Sequence, residues 1–175
     1  GGSVTLPKDT PAPATPGLWR LTERQYQNAL RDLLGDDLTL PTVKKEQNVG
    51  GLAALAAGTT TASAQEVERY EEQARLSTAA VFADKTKRGR LVSCGSATDV
   101  DAACAKRFVQ DFGKRAFRRP LSDAEVTRFT KLATDAKQLT GDAWLGVESA
   151  VAAMLQSPHF LYRFELGQPD AKDKS

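Results

Sequence analysis

Apolar residues recur at intervals of three and four along most of the chain, which is the pattern of amphipathic helices. The first stripe lies between Thr22 and Gly35 and consists of Tyr26, Ala29, Leu30, Leu33 and Leu34. Thr22 and Gln25 have the spacing of a capping box, and a glycine follows the last apolar residue. We therefore predict a helix that begins after Thr22 and ends at Gly35.

Four further stripes predict four more long helices. Each begins after a side chain that can cap the free N–H groups of a first turn: Ser63, Asp101, Ser122 and Asp142. Phe108, Phe112 and Phe117 share one face of the third helix, and the fifth is apolar on nearly every face, which favours a central position. A short helical turn starts at Ser157 with Pro158 at its first position. No convincing strand is found, so the predicted fold class is all-α, a single compact bundle of about five helices.

The remaining segments lack this pattern. Residues 4–17 contain four of the chain's prolines, a composition typical of an extended tether. Residues 36–62 combine Pro41 with paired glycines and a threonine run, which predicts a long irregular loop. We divide the chain into four parts: a linker or tether at 1–19, an N-terminal helical subdomain at 20–100, a C-terminal helical subdomain at 101–167 that shares its core, and a tail at 168–175.

Charge is nearly balanced over the whole chain. The 24 Lys and Arg residues against 22 Asp and Glu residues leave a net charge of +2. This balance gives no reason to predict a nucleic-acid partner. No run approaches the ~20 strongly apolar residues of a membrane-spanning helix, so no transmembrane span is predicted in this chain.

Two local clusters of basic residues are candidate contacts for an anion or a partner. The first comprises Lys85, Lys87, Arg88 and Arg90, and the second comprises Arg115, Arg118 and Arg119. Guanidinium groups suit carboxylates and phosphates, and both clusters together could recognise an acidic polymer. The preferred interpretation is structural. In that interpretation the first cluster is a solvated cap beyond a helix end, and the arginines bind terminal carbonyls and neighbouring acids.

The cysteines and the histidine limit the chemistry of the chain. Cys94 and Cys104 enclose a Gly/Ser/Thr/Asp-rich segment, and either a disulfide or two free buried thiols fits this spacing. His159 is the sole histidine and no C-x-x-C-H sequence occurs, so neither a metal site nor c-type haem attachment is predicted. His159 and Met154 could be axial haem ligands, but a structural role is preferred. No nucleotide-binding or nucleophile motif is present, and no catalytic or cofactor-binding residue is predicted.

Three stretches resemble a known family. Arg20–Asp37, RLTERQYQNALRDLLGDD, is similar to the start of helical domains in large planctomycete- and myxobacteria-type cytochrome c-associated exported proteins. Cys104–Phe129, CAKRFVQDFGKRAFRRPLSDAEVTRF, and Met154–Gly167, MLQSPHFLYRFELG, resemble the domain that follows in the same proteins. The resemblance covers about residues 20–167. It names domains that are largely of unknown function.

The resemblance implies an exported protein, in the periplasm or on the cell surface, with a Cys94–Cys104 disulfide and a lipid anchor upstream of residue 4. Haem c would lie elsewhere in the full-length protein. The expected function is a non-catalytic interaction or scaffold module, whose partners are other domains of the same polypeptide or an exported protein. The alternative is the N-terminal part of an oxidoreductase whose haem and active site lie in absent domains. No enzymatic activity is predicted for this chain alone.

Overall fold

The structure is a computed structural model that describes residues 17–39, 64–96 and 98–165. Four predictions lie wholly or mostly outside these residues: the proline-rich tether, the loop at 36–62, the Ser63 cap and the tail at 168–175. The division into two subdomains stays a prediction.

The described residues form seven helices and two short strands. The helices are α1 (Glu23–Leu34), α2 (Ala64–Ala83), α3 (Lys85–Leu91), α4 (Ala102–Phe117), α5 (Asp123–Thr140), α6 (Ala143–Leu155) and α7 (Pro158–Leu161). The strands are β1 (Gly17–Arg20) and β2 (Tyr162–Glu165). The helical fold class is confirmed. Five of the helices have 12 or more residues, while α3 has seven and α7 has four.

The predicted capping residues begin five of these helices, and Ser157 is the N-cap of α7. The Thr22 hydroxyl accepts the Gln25 N–H at 3.3 Å, and the Gln25 side chain accepts the Thr22 N–H at 3.0 Å, which completes the capping box of α1. The same reciprocal pair joins Ser122 and Glu125 at the start of α5. Asp101 caps α4 and Asp142 caps α6. These contacts satisfy N–H groups that have no partner within their helices.

One hydrophobic cluster extends from Leu21 to Phe160 and includes residues of all five long helices. α6 contacts α2, α4 and α5, in agreement with the central position that its sequence predicted. A Cβ atom on Gly146 would collide with the Ala133 carbonyl oxygen, so this glycine permits the close approach of α6 to α5. None of the helices in the described ranges has the length and apolar character that a membrane crossing requires.

The prediction that the chain has no strand was wrong. β1 and β2 form an antiparallel pair in which Gly17 lies opposite Glu165 and Arg20 lies opposite Tyr162. Each strand has four residues, too few for a clear alternating pattern, and the two segments are far apart in the sequence. β1 therefore includes residues that were assigned to the tether, and β2 follows directly after the short helical turn that starts at Ser157.

The buried face of α2 also differs from the simplest apolar stripe. Val67 and Leu76 are 58 % and 51 % exposed, whereas Gln73, Ser77 and Thr78 are buried. The Thr78 hydroxyl donates to the Ala74 carbonyl at 2.9 Å, which satisfies this polar group within the helix. Tertiary contacts with α1 and α6 thus decide which side of α2 is buried.

Candidate functional site

Cys94 and Cys104 form a disulfide, so the bond implied by the family resemblance is present in the structure. Cys104 is buried in the first turn of α4, and its N–H donates to Asp101 at 2.7 Å. Cys94 follows the end of α3. The bond therefore ties the segment after α3 to the start of α4, and closing a loop of this size contributes about 3 kcal/mol in the chain-entropy model.

A cleft with a volume of about 250 Å³ lies beside the disulfide. We call it the disulfide cleft. One wall comes from the end of α3 and the residues after it, and the other comes from α4. The lining residues are Leu91, Val92, Ser93, Cys94, Arg107, Phe108, Asp111, Phe112 and Arg115. Val92, Phe108 and Phe112 are buried, while Ser93, Arg107, Asp111 and Arg115 are exposed. The cleft therefore combines an apolar floor with a charged rim.

The helical repeat of α4 explains this arrangement. Arg107, Asp111 and Arg115 are separated by four residues each and thus form one line along the helix. Phe108 and Phe112 form the adjacent line, and their ring centroids are 5.4 Å apart. The Arg115 guanidinium donates to the Asp32 carbonyl oxygen at the end of α1. Within the described part of the chain, Arg107 and Asp111 make no hydrogen bond or ion pair.

The first basic cluster lies on a helix of its own. Lys85, Lys87, Arg88 and Arg90 belong to α3, so the segment that follows the end of α2 is itself helical, which the sequence interpretation did not predict. Asp84 starts α3 because its carboxylate accepts the N–H groups of Thr86 and Lys87 at 2.8 and 3.1 Å. Both hydrogen bonds lower the pKa of Asp84, and the bond from Lys87 has the larger effect.

Two of the basic side chains on α3 have partners within the fold. The Lys87 ammonium lies 2.7 Å from the Asp37 carboxylate, and this hydrogen bond lowers the pKa of Asp37. The Arg88 guanidinium lies over the Trp144 ring, 4.5 Å from its centroid. Lys85 and Arg90 are exposed.

Arg118 and Arg119 lie at the C-terminal end of α4, where the chain turns towards α5. We call this region the arginine corner. Arg118 adopts a left-handed backbone conformation with φ of 58°, and its guanidinium donates to the Phe160 carbonyl at 3.2 Å. Partial burial lowers the pKa of Arg118. The nearby positive charge of Arg163 lowers it further, to a smaller extent. Arg119 donates two hydrogen bonds to the Glu125 carboxylate, at 2.7 and 2.8 Å. The bond from Arg119 is the largest of the effects that lower the pKa of Glu125 to about 2.

His159 packs against the same corner. Its Nε2 atom lies 3.5 Å from Glu125 Oε1, and its ring centroid lies 5.3 Å from that of Phe117. Met154 is fully buried in α6. Within the described ranges, no three His, Cys, Asp or Glu side chains are grouped so that they could hold a metal ion.

The structure separates residues that the sequence grouped together. Arg115 borders the disulfide cleft and contacts α1, whereas Arg118 and Arg119 belong to the corner. An external contact for any of the seven predicted basic residues stays a prediction. The sequence interpretation named neither Arg107 nor Asp111 as a candidate contact. The line of charges at spacings of four beside Phe108 and Phe112 was the available signal.

Two family models match the chain. Residues 19–83 match PSD3, described as a protein of unknown function (DUF1587), and residues 104–165 match PSD5, described as a protein of unknown function (DUF1595). Comparison with curated proteins and with solved structures gives no match. The wall of the disulfide cleft formed by residues 91–94 lies between the two matched segments, and the other wall lies inside the second.

Proposed function

We propose that this chain is a non-catalytic helical interaction module of an exported, cytochrome c-associated multidomain protein. The observation that carries the proposal is that the two matched segments fold around a single hydrophobic cluster. α1 and α2 come from the first segment, α5 and α6 come from the second, and β1 pairs with β2 across them. The two segments thus form one body, and its outer surfaces are available to neighbouring domains.

The pKa values of several carboxyl groups support a structural rather than a catalytic role for these groups. A general acid or base works best when its pKa lies near the working pH. The pKa of Glu125 is instead lowered to about 2, and the pKa values of Asp37, Asp84 and Asp99 are also lowered by hydrogen bonds within the fold. Glu148 is different, because burial and the nearby Asp142 raise its pKa. These four carboxyls, whose pKa values are lowered, cap helices or pair with cations within the fold rather than exchange protons.

The disulfide supports the proposed location. Disulfides persist in oxidising compartments and are rare in the cytosol. The Cys94–Cys104 bond therefore favours an exported protein in the periplasm or on the cell surface, and a lipid anchor upstream of residue 4 is part of the same proposal. The proposed partners are other domains of the same polypeptide or another exported protein. Any haem c would be held by those other domains.

The test compares the complete polypeptide with a variant that lacks residues 20–167. We expect the haem absorbance spectrum and redox activity to be unchanged, while proteins that co-purify after crosslinking are lost. Loss of haem or of activity would instead support an oxidoreductase to which this segment contributes. The 175-residue chain is measured in parallel, because haem binding or turnover by this chain alone would overturn the proposal independently of the deletion.

A further inference from the structure

The disulfide cleft has the size of a site for one side chain. Its volume of about 250 Å³ lies below the range of about 300–1,000 Å³ that is usual for pockets that enclose a whole small molecule. Leu91 and Val92 on one wall face Phe108 and Phe112 on the other. The floor therefore offers apolar contact to one side chain, and polar groups surround it.

The surroundings of the cleft are basic. α4 carries four cationic side chains and one acidic side chain, and α3, which ends at Leu91 in the cleft wall, carries four cationic side chains and none that is acidic. Two of the α4 cations, Arg107 and Arg115, lie on the rim itself. An apolar side chain that enters this cleft would be followed or preceded most favourably by acidic residues.

Arg107 has the chemistry to bind such an acid. It is exposed, and it has no hydrogen bond or ion pair among residues 17–39, 64–96 and 98–165. A guanidinium group can donate two parallel hydrogen bonds to one carboxylate. Asp111 lies one turn away, between the two arginines, and its charge opposes a densely charged phosphate more than a singly charged carboxylate. The rim therefore favours a carboxylate.

We infer that the disulfide cleft binds a segment of a partner protein in which one large apolar side chain is flanked by aspartate or glutamate. The apolar side chain occupies the space between Val92 and the two phenylalanines, and a flanking carboxylate accepts hydrogen bonds from Arg107. This inference rests on the proposed interaction function and specifies the chemistry of its partner.

The experiment selects peptides from a random twelve-residue display library on the folded 175-residue chain. The enriched peptides are then synthesised with a fluorescent label, and their Kd values are measured by anisotropy. We expect a consensus with a leucine, isoleucine, phenylalanine or tryptophan within two positions of an acidic residue. Arg107→Glu is expected to weaken binding at least tenfold.

Lys106→Glu is the matched control. It makes the same charge change at the neighbouring exposed position of α4, but Lys106 does not line the cleft. It is expected to weaken binding less than threefold. Ser93→Trp, which fills the cleft without a change of charge, is expected to weaken binding at least tenfold and gives a second test if Arg107→Glu lowers the melting temperature.

Four outcomes would overturn the inference. The first is equal weakening by Arg107→Glu and Lys106→Glu, which would indicate general attraction to a basic surface. The second is a consensus that lacks acidic or apolar residues. The third is no enrichment at all. The fourth is that the peptides bind the Arg107→Glu and Ser93→Trp variants as tightly as the original chain. This result would show that the cleft is not the binding site. It would not contradict the proposed interaction function, which the deletion tests separately.

Discussion

Arginine side chains at two places along α4 have opposite surroundings. In the arginine corner, Arg118 binds the Phe160 carbonyl and Arg119 binds the Glu125 carboxylate. At the disulfide cleft, Arg107 has no hydrogen-bonding partner within the described part of the chain. The sequence is denser in arginine at the corner than at the cleft. The guanidinium group that can bind an external ligand, that of Arg107, nevertheless lies at the cleft. The density of arginine therefore does not identify a binding surface.

The position along the helix explains the difference. Carbonyl groups in the middle of α4 are bonded within the helix, so a side chain such as Arg107 finds no free backbone acceptor nearby. A helix end leaves carbonyls without partners, and the chain that turns there brings other segments within reach. At the corner, Glu125 also belongs to the capping box of α5, so one carboxylate joins the end of one helix to the start of the next.

Removal of the disulfide should have the largest effect, and it should damage the cleft while it leaves the corner intact. We expect Cys94→Ala combined with Cys104→Ala to lower the free energy of unfolding by about 3 kcal/mol, because the unfolded chain regains loop entropy. Urea denaturation with and without reductant measures this loss. The double variant is the control, since reductant should no longer affect it. A wild-type chain that is equally stable in reductant would contradict the prediction.

Arg119→Ala compared with Arg107→Ala tests the two regions directly. Arg119 is paired with a carboxylate that is only 16 % exposed, but its own side chain is 40 % exposed and therefore partly screened by solvent. We expect Arg119→Ala to lower stability by about 1 kcal/mol and Arg107→Ala to change it by less than about 0.5 kcal/mol. Equal losses measured by urea denaturation would remove the distinction between corner and cleft.

Acidification should weaken the corner selectively. The pKa of Glu125 falls from its ordinary value of 4.5 to about 2 in the folded chain. A lowered folded-state pKa stabilises the fold above the ordinary value, and this contribution is lost as the pH falls from 4.5 towards 2. Over that interval we expect the wild-type chain to lose about 1 kcal/mol more than Glu125→Gln. Thermal melts at a series of pH values measure the difference, and Asp123→Asn should retain the wild-type profile.

Asp111→Asn should have the smallest effect on stability. Asp111 is exposed and has no ion pair within the described residues, in contrast to Glu125 at the corner. We expect a change of less than about 0.5 kcal/mol in the free energy of unfolding, measured by urea denaturation. A loss as large as that of Arg119→Ala would mean that the rim of the cleft is part of the structural framework.

Local signals in the sequence predicted the helices well. Thr22, Asp101, Ser122 and Asp142 act on N–H groups within three residues, so their roles do not depend on distant contacts. α3 was missed because its four basic residues show no apolar period, although Asp84 provides a cap. The β1–β2 pair and the buried face of α2 depend on segments that are distant in the sequence.

The candidate site was harder to predict than the fold. The resemblance implied the disulfide, and the three phenylalanines were assigned to the core. The cleft itself arises only when residues 91–94 pack beside α4, and neither segment contains a motif that specifies this contact. Arg107 gains its significance from that packing, so its residue type alone could not distinguish it from Lys106.

The antiparallel pair of β1 and β2 also determines how the fold would respond to mechanical force. Gly17 and Glu165 are opposite each other at one end of the ladder, and the strands run from that end towards α1 and α7. Tension applied at these two residues would load the hydrogen bonds one pair at a time, as in a zipper, rather than all together in shear. The β1–β2 pair would therefore separate at low force. The chain between the pulled residues and the helical core would lengthen before the core carried any load.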